Sequence, residues 1–148
     1  MNEELLKKAK ERIVRSLQFS DKPETGMRQK LKEDNYPAEV IDAAIEWAKS
    51  KKYLDDERFA ESFIRLHGDN TSKEHLRLKL IEKGVNPEII GFKIEDAEID
   101  EAAQIRRMLE RKHYSSDMDE KEKQKIIASL ARKGYSWSTI SHILGTVD

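Results

Sequence analysis

The chain repeats one pattern three times, and this repetition constrains its fold more than any other feature. Residues 31–45, 80–94 and 130–144 align without gaps, at spacings of 49 residues (31 to 80) and 50 residues (80 to 130). Each segment begins with Leu and carries a turn residue, an apolar or aromatic residue and then a second apolar stretch. A fixed period of this length is typical of proteins built from stacked supersecondary units.

The turn residue in each segment predicts where a helix ends. Asn35, Gly84 and Gly134 are of the types that adopt the left-handed conformation most easily, as the end of a helix requires. Residues that can close over the helix end follow directly: Tyr36, Val85 and Tyr135. Residues suited to start a new helix come next, by side-chain cap or by a preset φ: Pro37, Asn86–Pro87 and Ser136. Each segment is therefore predicted to be a helix-turn-helix pair.

A further helix precedes each pair, and its start is clearest in the middle repeat. Asp55 is a good N-cap, and Leu54 and Phe59 occupy the two positions of a hydrophobic staple. Thr71 and Glu74 have the spacing of a capping box, which predicts the start of the next helix. Ile99–Asp100 resembles the helix start at Leu54–Asp55 and lies at the beginning of the third repeat.

The predicted fold is all-α, with three tandem three-helix repeats stacked into an elongated, curved array. Repeat boundaries are predicted at residues 1–53, 54–98 and 99–148, within one continuous repeat domain. Alternation with a period of two is absent, so no strand is expected. Nine helices are predicted, over residues 3–18, 24–34, 38–51, 56–67, 72–83, 87–97, 100–113, 119–133 and 137–146.

Composition excludes several classes of protein. Charged residues make up 39% of the chain, against roughly 25% in an average globular protein. Lys and Arg number 28 and Asp and Glu 29, so the formal net charge is -1, which argues against a cationic coat over the whole surface. The chain has no Cys, no stretch as long and apolar as a membrane span and no apolar leader, so we expect a cytoplasmic protein.

Motifs of catalysis are absent from the sequence, and we expect neither an enzyme nor a cofactor or metal site. No phosphate-binding glycine loop or nucleophile elbow occurs, and the four His residues lack metal-site spacing. Asp55 and Asp56 could form a metal-binding pair, but their place before an apolar helical stripe favours capping. Trp47 and Trp137 are predicted to pack in the interior rather than to stack on bases.

Basic residues recur on the second helix of successive repeats and are the remaining candidates for binding a partner. One interpretation is ordinary: interleaved acidic residues make these solvated helix faces with local ion pairs. The other is that the repeats align them into a basic stripe that meets an acidic partner or a phosphate backbone. The candidate residues are Arg28, Lys30, Lys32, Arg77, Lys79, Lys83, Arg132 and Lys133.

Residues 53–60 and 77–85 resemble the central signature of the RecX family of recombination regulators. That signature is a Leu-Asp-Asp segment running into Phe-Ala, followed by a basic helix that ends in Lys-Gly-Val, and residues 132–136 are similar to its third-repeat segment. The resemblance extends over nearly the whole chain. Two residues depart from it: Lys52 precedes the Leu-Asp-Asp segment where Gly is frequent, and Asn35 replaces the first-repeat Gly.

The resemblance implies a non-catalytic modulator of the RecA recombinase. Members of the family bind the groove of the RecA filament on single-stranded DNA and restrain its ATPase, strand-exchange and co-protease activities. Homologous recombination, DNA repair and the SOS response would be regulated in this way. Two alternatives stay open: a helical-repeat protein that binds DNA directly, and a scaffold for another helical partner. A weak direct contact with DNA is also compatible with filament binding. We expect a monomer.

Overall fold

The computed structural model describes residues 2–147, and in that range it is all-helical, as predicted. It contains nine α-helices and no strand within the described residues. No helix among them is both long enough and apolar enough to cross a membrane. The helices are α1 (Glu3–Phe19), α2 (Glu24–Glu33), α3 (Ala38–Ser50), α4 (Asp56–His67), α5 (Lys73–Glu82), α6 (Pro87–Asp96), α7 (Glu101–Arg111), α8 (Glu120–Arg132) and α9 (Trp137–Leu144).

The predicted turn after the second helix of each repeat is confirmed in all three. Asn35, Gly84 and Gly134 have φ values of 66°, 86° and 96°. The amide of the residue after each of them donates to the carbonyl five residues earlier, at N–O distances of 3.2, 3.1 and 3.3 Å. This six-to-one bond defines a Schellman ending and satisfies a carbonyl that the helix leaves open. The repeat is thus a repeat of backbone geometry as well as of sequence.

Lys52 shows why Gly is frequent at its position in the resembled signature. Its φ is 63°, in the left-handed region that few residues other than Gly and Asn adopt. The turn is held from outside, because Arg58 donates from Nη1 to the Lys52 carbonyl at 2.8 Å and from Nη2 to the Tyr53 carbonyl at 2.8 Å. A side chain from the following helix therefore stabilises a turn that disfavours lysine.

Three of the predicted helix starts are confirmed and one is corrected. Asp55, Asp100 and Ser136 each accept a hydrogen bond from the amide three residues later, at 3.1, 3.0 and 3.1 Å. The prediction that Thr71 and Glu74 form a capping box is wrong. Ser72 caps α5 instead, accepting from the amide of His75 at 3.1 Å, and the carboxylate of Glu74 pairs with Arg77 within the same helix.

The described chain divides into two compact units, and the middle repeat contributes to both of them. The first unit contains the described residues up to 62 together with residues 80–90. Helix α3 packs against both α1 and α2. The core side chains of the first unit are Ala9, Ile13, Met27, Leu31, Val40, Ile41, Ala44, Ile45, Ala48 and Leu54.

The second unit contains residues 63–79 together with the described residues from 91 onward. Helix α9 packs against α7 and α8. Gln104 lies buried beside this core with only 3% of its surface exposed, a position that the sequence does not single out. The apolar core consists of Ile105, Leu109, Ile126, Leu130, Tyr135, Ile140 and Ile143. The boundaries at 53/54 and 98/99 that the sequence suggests stay predictions.

Candidate partner-binding surface and the repeat junctions

The first group of predicted contact residues lies on α2, in the first unit. Arg28 and Lys32 are four residues apart on one helix face and line a groove of about 470 Å³. Lys30 lies two residues from each of them and so points to another side of α2. Arg28 is already engaged: it donates to Glu24 at 3.1 Å and to Asp42 at 2.7 Å, and the hydrogen bond to Asp42 raises the pKa of its guanidinium.

The remaining predicted residues lie on α5 and around the end of α8. Arg77 is paired with Glu74 through an Nε–Oε2 bond of 3.0 Å, whereas Lys79 is exposed. Lys83 follows the last residue of α5. Arg132 and Lys133 are neighbours and both exposed. The structure thus brings Arg28 together with Lys32, and Arg132 with Lys133. A role of any of the eight residues in binding a partner stays a prediction.

The two aspartates of the signature, Asp55 and Asp56, cap two different helices, which agrees with the capping interpretation. Asp55 caps its own helix, α4. Asp56 reaches back to the preceding repeat, where its Oδ1 accepts a 2.9 Å hydrogen bond from the backbone amide of Glu24, the first residue of α2. The N-cap of α2 is Pro23, whose side chain has no acceptor, so Asp56 supplies the missing cap from outside. Among the described residues, no group of three or more His, Asp and Glu side chains is arranged to hold a metal ion.

A set of charges surrounds this contact and makes the first junction ionic. We define the first junction by the residues Glu24, Thr25, Lys49, Asp56 and Gly84. Burial alone would raise the pKa of Glu24, yet its hydrogen bonds to the Lys49 ammonium, at 3.1 Å, and to the Arg28 guanidinium hold that pKa below its usual value. Burial raises the pKa of Asp56 despite the bond from the Glu24 amide. Ordinary surface pairs stabilise little, but this set is partly shielded from solvent.

Gly84 completes the first junction by close approach. A Cβ built on Gly84 would overlap the side chain of Thr25, at the start of α2. Gly84 is therefore required twice, for its positive φ and for the space beside Thr25.

The second junction joins the middle and third repeats within the second unit. We define it by the residues Ser72, Lys73, Glu101, Gln104, Gly134 and Tyr135. The 49-residue offset places Lys73 at the position of Glu24, and its amide donates to the Glu101 carboxylate at 3.0 Å. Gly134 corresponds to Gly84, and a Cβ there would overlap Ser72. Ser72 also donates from Oγ to the Lys133 carbonyl at 2.7 Å.

Gln104 is the centre of the second junction and was missed by sequence reasoning. Its Nε2 donates to the carbonyls of Gly68, at 2.7 Å, and Thr71, at 3.2 Å, while its Oε1 accepts from the Tyr135 hydroxyl at 2.6 Å. Burial raises the pKa of the Tyr135 phenol, which favours the protonated, donating form. Nothing in the local sequence marks Gln104 as buried. The alignment of Asp55–Asp56 with Asp100–Glu101, by contrast, was a signal that could have revealed both junctions.

The two tryptophans differ in their environment. Trp47 is half-buried and packs against the first core, with its ring centre 5.4 Å from that of Tyr53, which confirms the predicted packing. Trp47 also lines a groove at the surface, so this packing leaves part of the indole open to a ligand. The prediction that Trp137 packs in the interior is wrong, since 63% of its surface is exposed. Trp137 is the first residue of α9, and the residues that this helix buries are Ile140 and Ile143.

Fold and junctions together define a helical-repeat protein whose signature residues hold neighbouring repeats in register. Two sequence profiles match the chain: that of the RecX first three-helix domain over residues 9–47 and that of the RecX third three-helix domain over residues 98–144. The chain belongs to the RecX family of regulatory proteins.

Curated relatives agree with this assignment, and solved structures share the fold. The regulatory protein RecX of Clostridium acetobutylicum is 30% identical over 143 residues, which cover 92% of this chain and 67% of that protein. The regulatory protein RecX of Actinobacillus pleuropneumoniae is 31% identical over 129 residues, covering 84% and 82% respectively. The crystal structure of RecX from Lactobacillus salivarius superimposes with a TM-score of 0.84 at 20% identity, covering 98% of this chain and 97% of that chain. A second crystal structure of a regulatory protein RecX gives a TM-score of 0.81 at 22% identity, covering 95% of this chain and 73% of the other.

Proposed function

We propose that this chain is a non-catalytic regulator that binds the RecA filament on single-stranded DNA and restrains its ATPase, strand-exchange and co-protease activities. Membership of a family of regulatory proteins, matched in both its first and third repeats, is the observation that carries the proposal. In the cytoplasm such binding would modulate recombination, DNA repair and the SOS response.

The use of the signature carboxylates supports a role in binding rather than catalysis. Asp55 and Asp56 are the acidic pair most suited to acid–base or metal chemistry, and both are engaged as helix caps. A carboxylate that accepts a backbone N–H in this way stabilises the scaffold. What the repeats then offer a partner is their exposed surface.

Four of the eight predicted residues are suited to contact a partner: Lys32 on α2, and Lys79, Arg132 and Lys133 in the second unit, of which the last three are chosen for the test. They are exposed and form no side-chain ion pair among the described residues. Arg28 and Arg77 are less suited, because binding would have to replace the carboxylates that they already contact. An exposed cation without a partner gains more from a new acidic or phosphate group.

The test is ATP hydrolysis by RecA on single-stranded DNA, titrated with this chain at ratios well below one per RecA. Suppression at such ratios is expected if the chain acts on the assembled filament. The triple variant Lys79→Glu, Arg132→Glu and Lys133→Glu should need a higher concentration for the same suppression. The matched control is Arg106→Glu, Lys112→Glu and Lys121→Glu, which changes net charge equally.

The outcomes separate the residue assignment from the function. Equal suppression by the two triple variants would disprove the choice of Lys79, Arg132 and Lys133 while leaving RecA as the partner. No suppression by the unmodified chain would contradict the proposed function itself. Circular dichroism of each variant checks that the helices are retained.

A further inference from the structure

A groove between α1 and α3 combines an indole ring with cations that form no ion pair among the described residues. It encloses about 490 Å³ and is lined by Lys7, Lys10, Glu11, Val14, Arg15 and Trp47. The Lys10 ammonium lies 5.1 Å from the centre of the Trp47 ring. Three cations thus face one carboxylate around an aromatic and aliphatic floor. None of these cations is among the eight residues that the sequence singles out.

These cations differ from those on α2 in what they contact. Lys7 and Arg15 are exposed and form no ion pair or hydrogen bond with another side chain among the described residues. Arg28, by comparison, contacts both Glu24 and Asp42. An anionic ligand can therefore bind Lys7 and Arg15 without displacing an existing partner, which lowers the free-energy cost of binding.

We propose that the α1–α3 groove binds single-stranded DNA, with Lys7, Lys10 and Arg15 contacting phosphates and a base stacking on Trp47. From Lys7 to Arg15 the helix rises about 12 Å, which is long enough to contact more than one phosphate of a single strand. The stacked base takes the place of the Lys10 side chain over the indole, and the Lys10 ammonium then reaches the adjacent phosphate.

Single-stranded DNA fits the groove better than an acidic peptide does. Every nucleotide presents both a phosphate and a flat base, the two groups that the cations and the indole require. An acidic peptide would satisfy the cations but leave Trp47 and Val14 without a matching surface unless it also carried an apolar side chain. In double-stranded DNA the bases are stacked on one another and do not reach the indole.

This proposal goes beyond the proposed function because the contact needs no RecA. The probe is a short oligodeoxythymidylate, and the reporter is a full chain with Trp137→Phe, in which Trp47 is the remaining one of the 2 Trp residues. Titration with the oligonucleotide at low salt should quench Trp47 emission as the base stacks. An absence of quenching under conditions where the labelled oligonucleotide binds would overturn the stacking contact.

The cations are tested by Lys7→Ala with Arg15→Ala, using fluorescence anisotropy of the labelled oligonucleotide. Affinity should fall, and the slope of log K against log salt should flatten by about 1.4, since each phosphate contact contributes roughly 0.7 for single strands. Arg106→Ala with Lys121→Ala removes the same charges elsewhere and should leave both quantities unchanged. Equal loss in the two variants would show unspecific attraction and contradict the proposal.

Poly-L-glutamate distinguishes the competing ligand. If it quenches Trp47 as strongly as the oligonucleotide does, and loses affinity in the Lys7 and Arg15 variant, the groove is a site for acidic polypeptide and the DNA proposal is wrong. Failure of this experiment leaves the RecA titration untouched, because that assay measures suppression of ATP hydrolysis and this one is carried out without RecA.

Discussion

The first and second junctions have the same backbone plan but different chemistry. In both, the first residue of a second helix donates its amide to a carboxylate at the start of the next repeat, Asp56 in one and Glu101 in the other. In both, a glycine with positive φ lies against the start of that helix. Around this plan, Glu24 and Lys49 make the first junction ionic, whereas the second depends on the neutral, buried Gln104.

The difference teaches that stacking geometry is repeated while the stabilising interactions are not. A neutral hydrogen-bond network in a buried site is insensitive to salt, and its loss leaves polar groups without partners. A partly exposed ionic set contributes less and responds to salt and pH. The two junctions should therefore respond differently to substitution and to solvent conditions.

The largest effect is expected at the second junction, for Gln104→Leu. The substitution keeps a side chain of similar length but leaves the Gly68 carbonyl and the Tyr135 hydroxyl without their partner. With about 1–3 kcal/mol for each of these two buried groups left unsatisfied, the free energy of unfolding should fall by roughly 2–6 kcal/mol. Chemical denaturation followed by circular dichroism measures it.

Tyr135→Phe is the graded companion to that variant. It removes one hydrogen bond and leaves only the Gln104 oxygen unsatisfied, so its effect should be clearly smaller. If Gln104→Leu is as stable as the unmodified chain, the neutral network is not what holds the second junction.

Much of the plan could be predicted from the sequence because it rests on local rules. The endings at Asn35, Gly84 and Gly134 follow from which residues tolerate positive φ, and the caps at Asp55 and Asp100 follow from side-chain chemistry. These rules act within a few residues, so they are visible in a single sequence.

What the sequence did not predict depends on contacts between distant residues. Ser72 rather than Thr71 caps α5, and the Ser72 hydroxyl also bonds to Lys133, 61 residues away. The burial of Gln104 depends on Tyr135 and Gly68, each more than 30 residues from it. Helical spacing can suggest an ion pair only between residues of the same helix, such as Arg77 with Glu74. It could not suggest the contact of Arg28 with Asp42, because Asp42 lies on α3.

A smaller effect is expected at the first junction, where Asp56→Ala and Asp56→Asn separate the cap from the charge. Alanine removes the acceptor for the Glu24 amide, so the free energy of unfolding should fall by about 1 kcal/mol. Asparagine keeps an oxygen acceptor and removes a carboxylate whose ionisation burial disfavours, so its stability should match or exceed that of the unmodified chain. Thermal and chemical denaturation of both variants provide the comparison. Equal losses in the two would mean that the charge of Asp56, and not its cap, stabilises the junction.

The smallest effect, and the sharpest test of the contrast, is the dependence of Glu24→Gln on salt and pH. The pKa of Glu24 is lowered in the folded chain, chiefly by Lys49 and Arg28 acting against burial. Its ionised form therefore stabilises the fold above the unfolded value of 4.5, and this contribution is lost as the pH falls through that value and on through the lower folded pKa. Near neutral pH the variant should be less stable by no more than about 1 kcal/mol.

Asp56 complicates the acid range, since its raised pKa makes protonation favour the folded state as the pH falls. Measuring Glu24→Gln in the Asp56→Asn background removes that opposing contribution. The deficit of the Gln variant should then vanish in acid and shrink with added salt.

Glu101→Gln is the matched change at the second junction, where no ion pair to Glu101 exists among the described residues and an amide oxygen can still accept from Lys73. Its effect should not depend on salt. Equal salt dependence in the two variants would contradict the contrast between the junctions. Ionic interactions would then stabilise the first junction no more than the second.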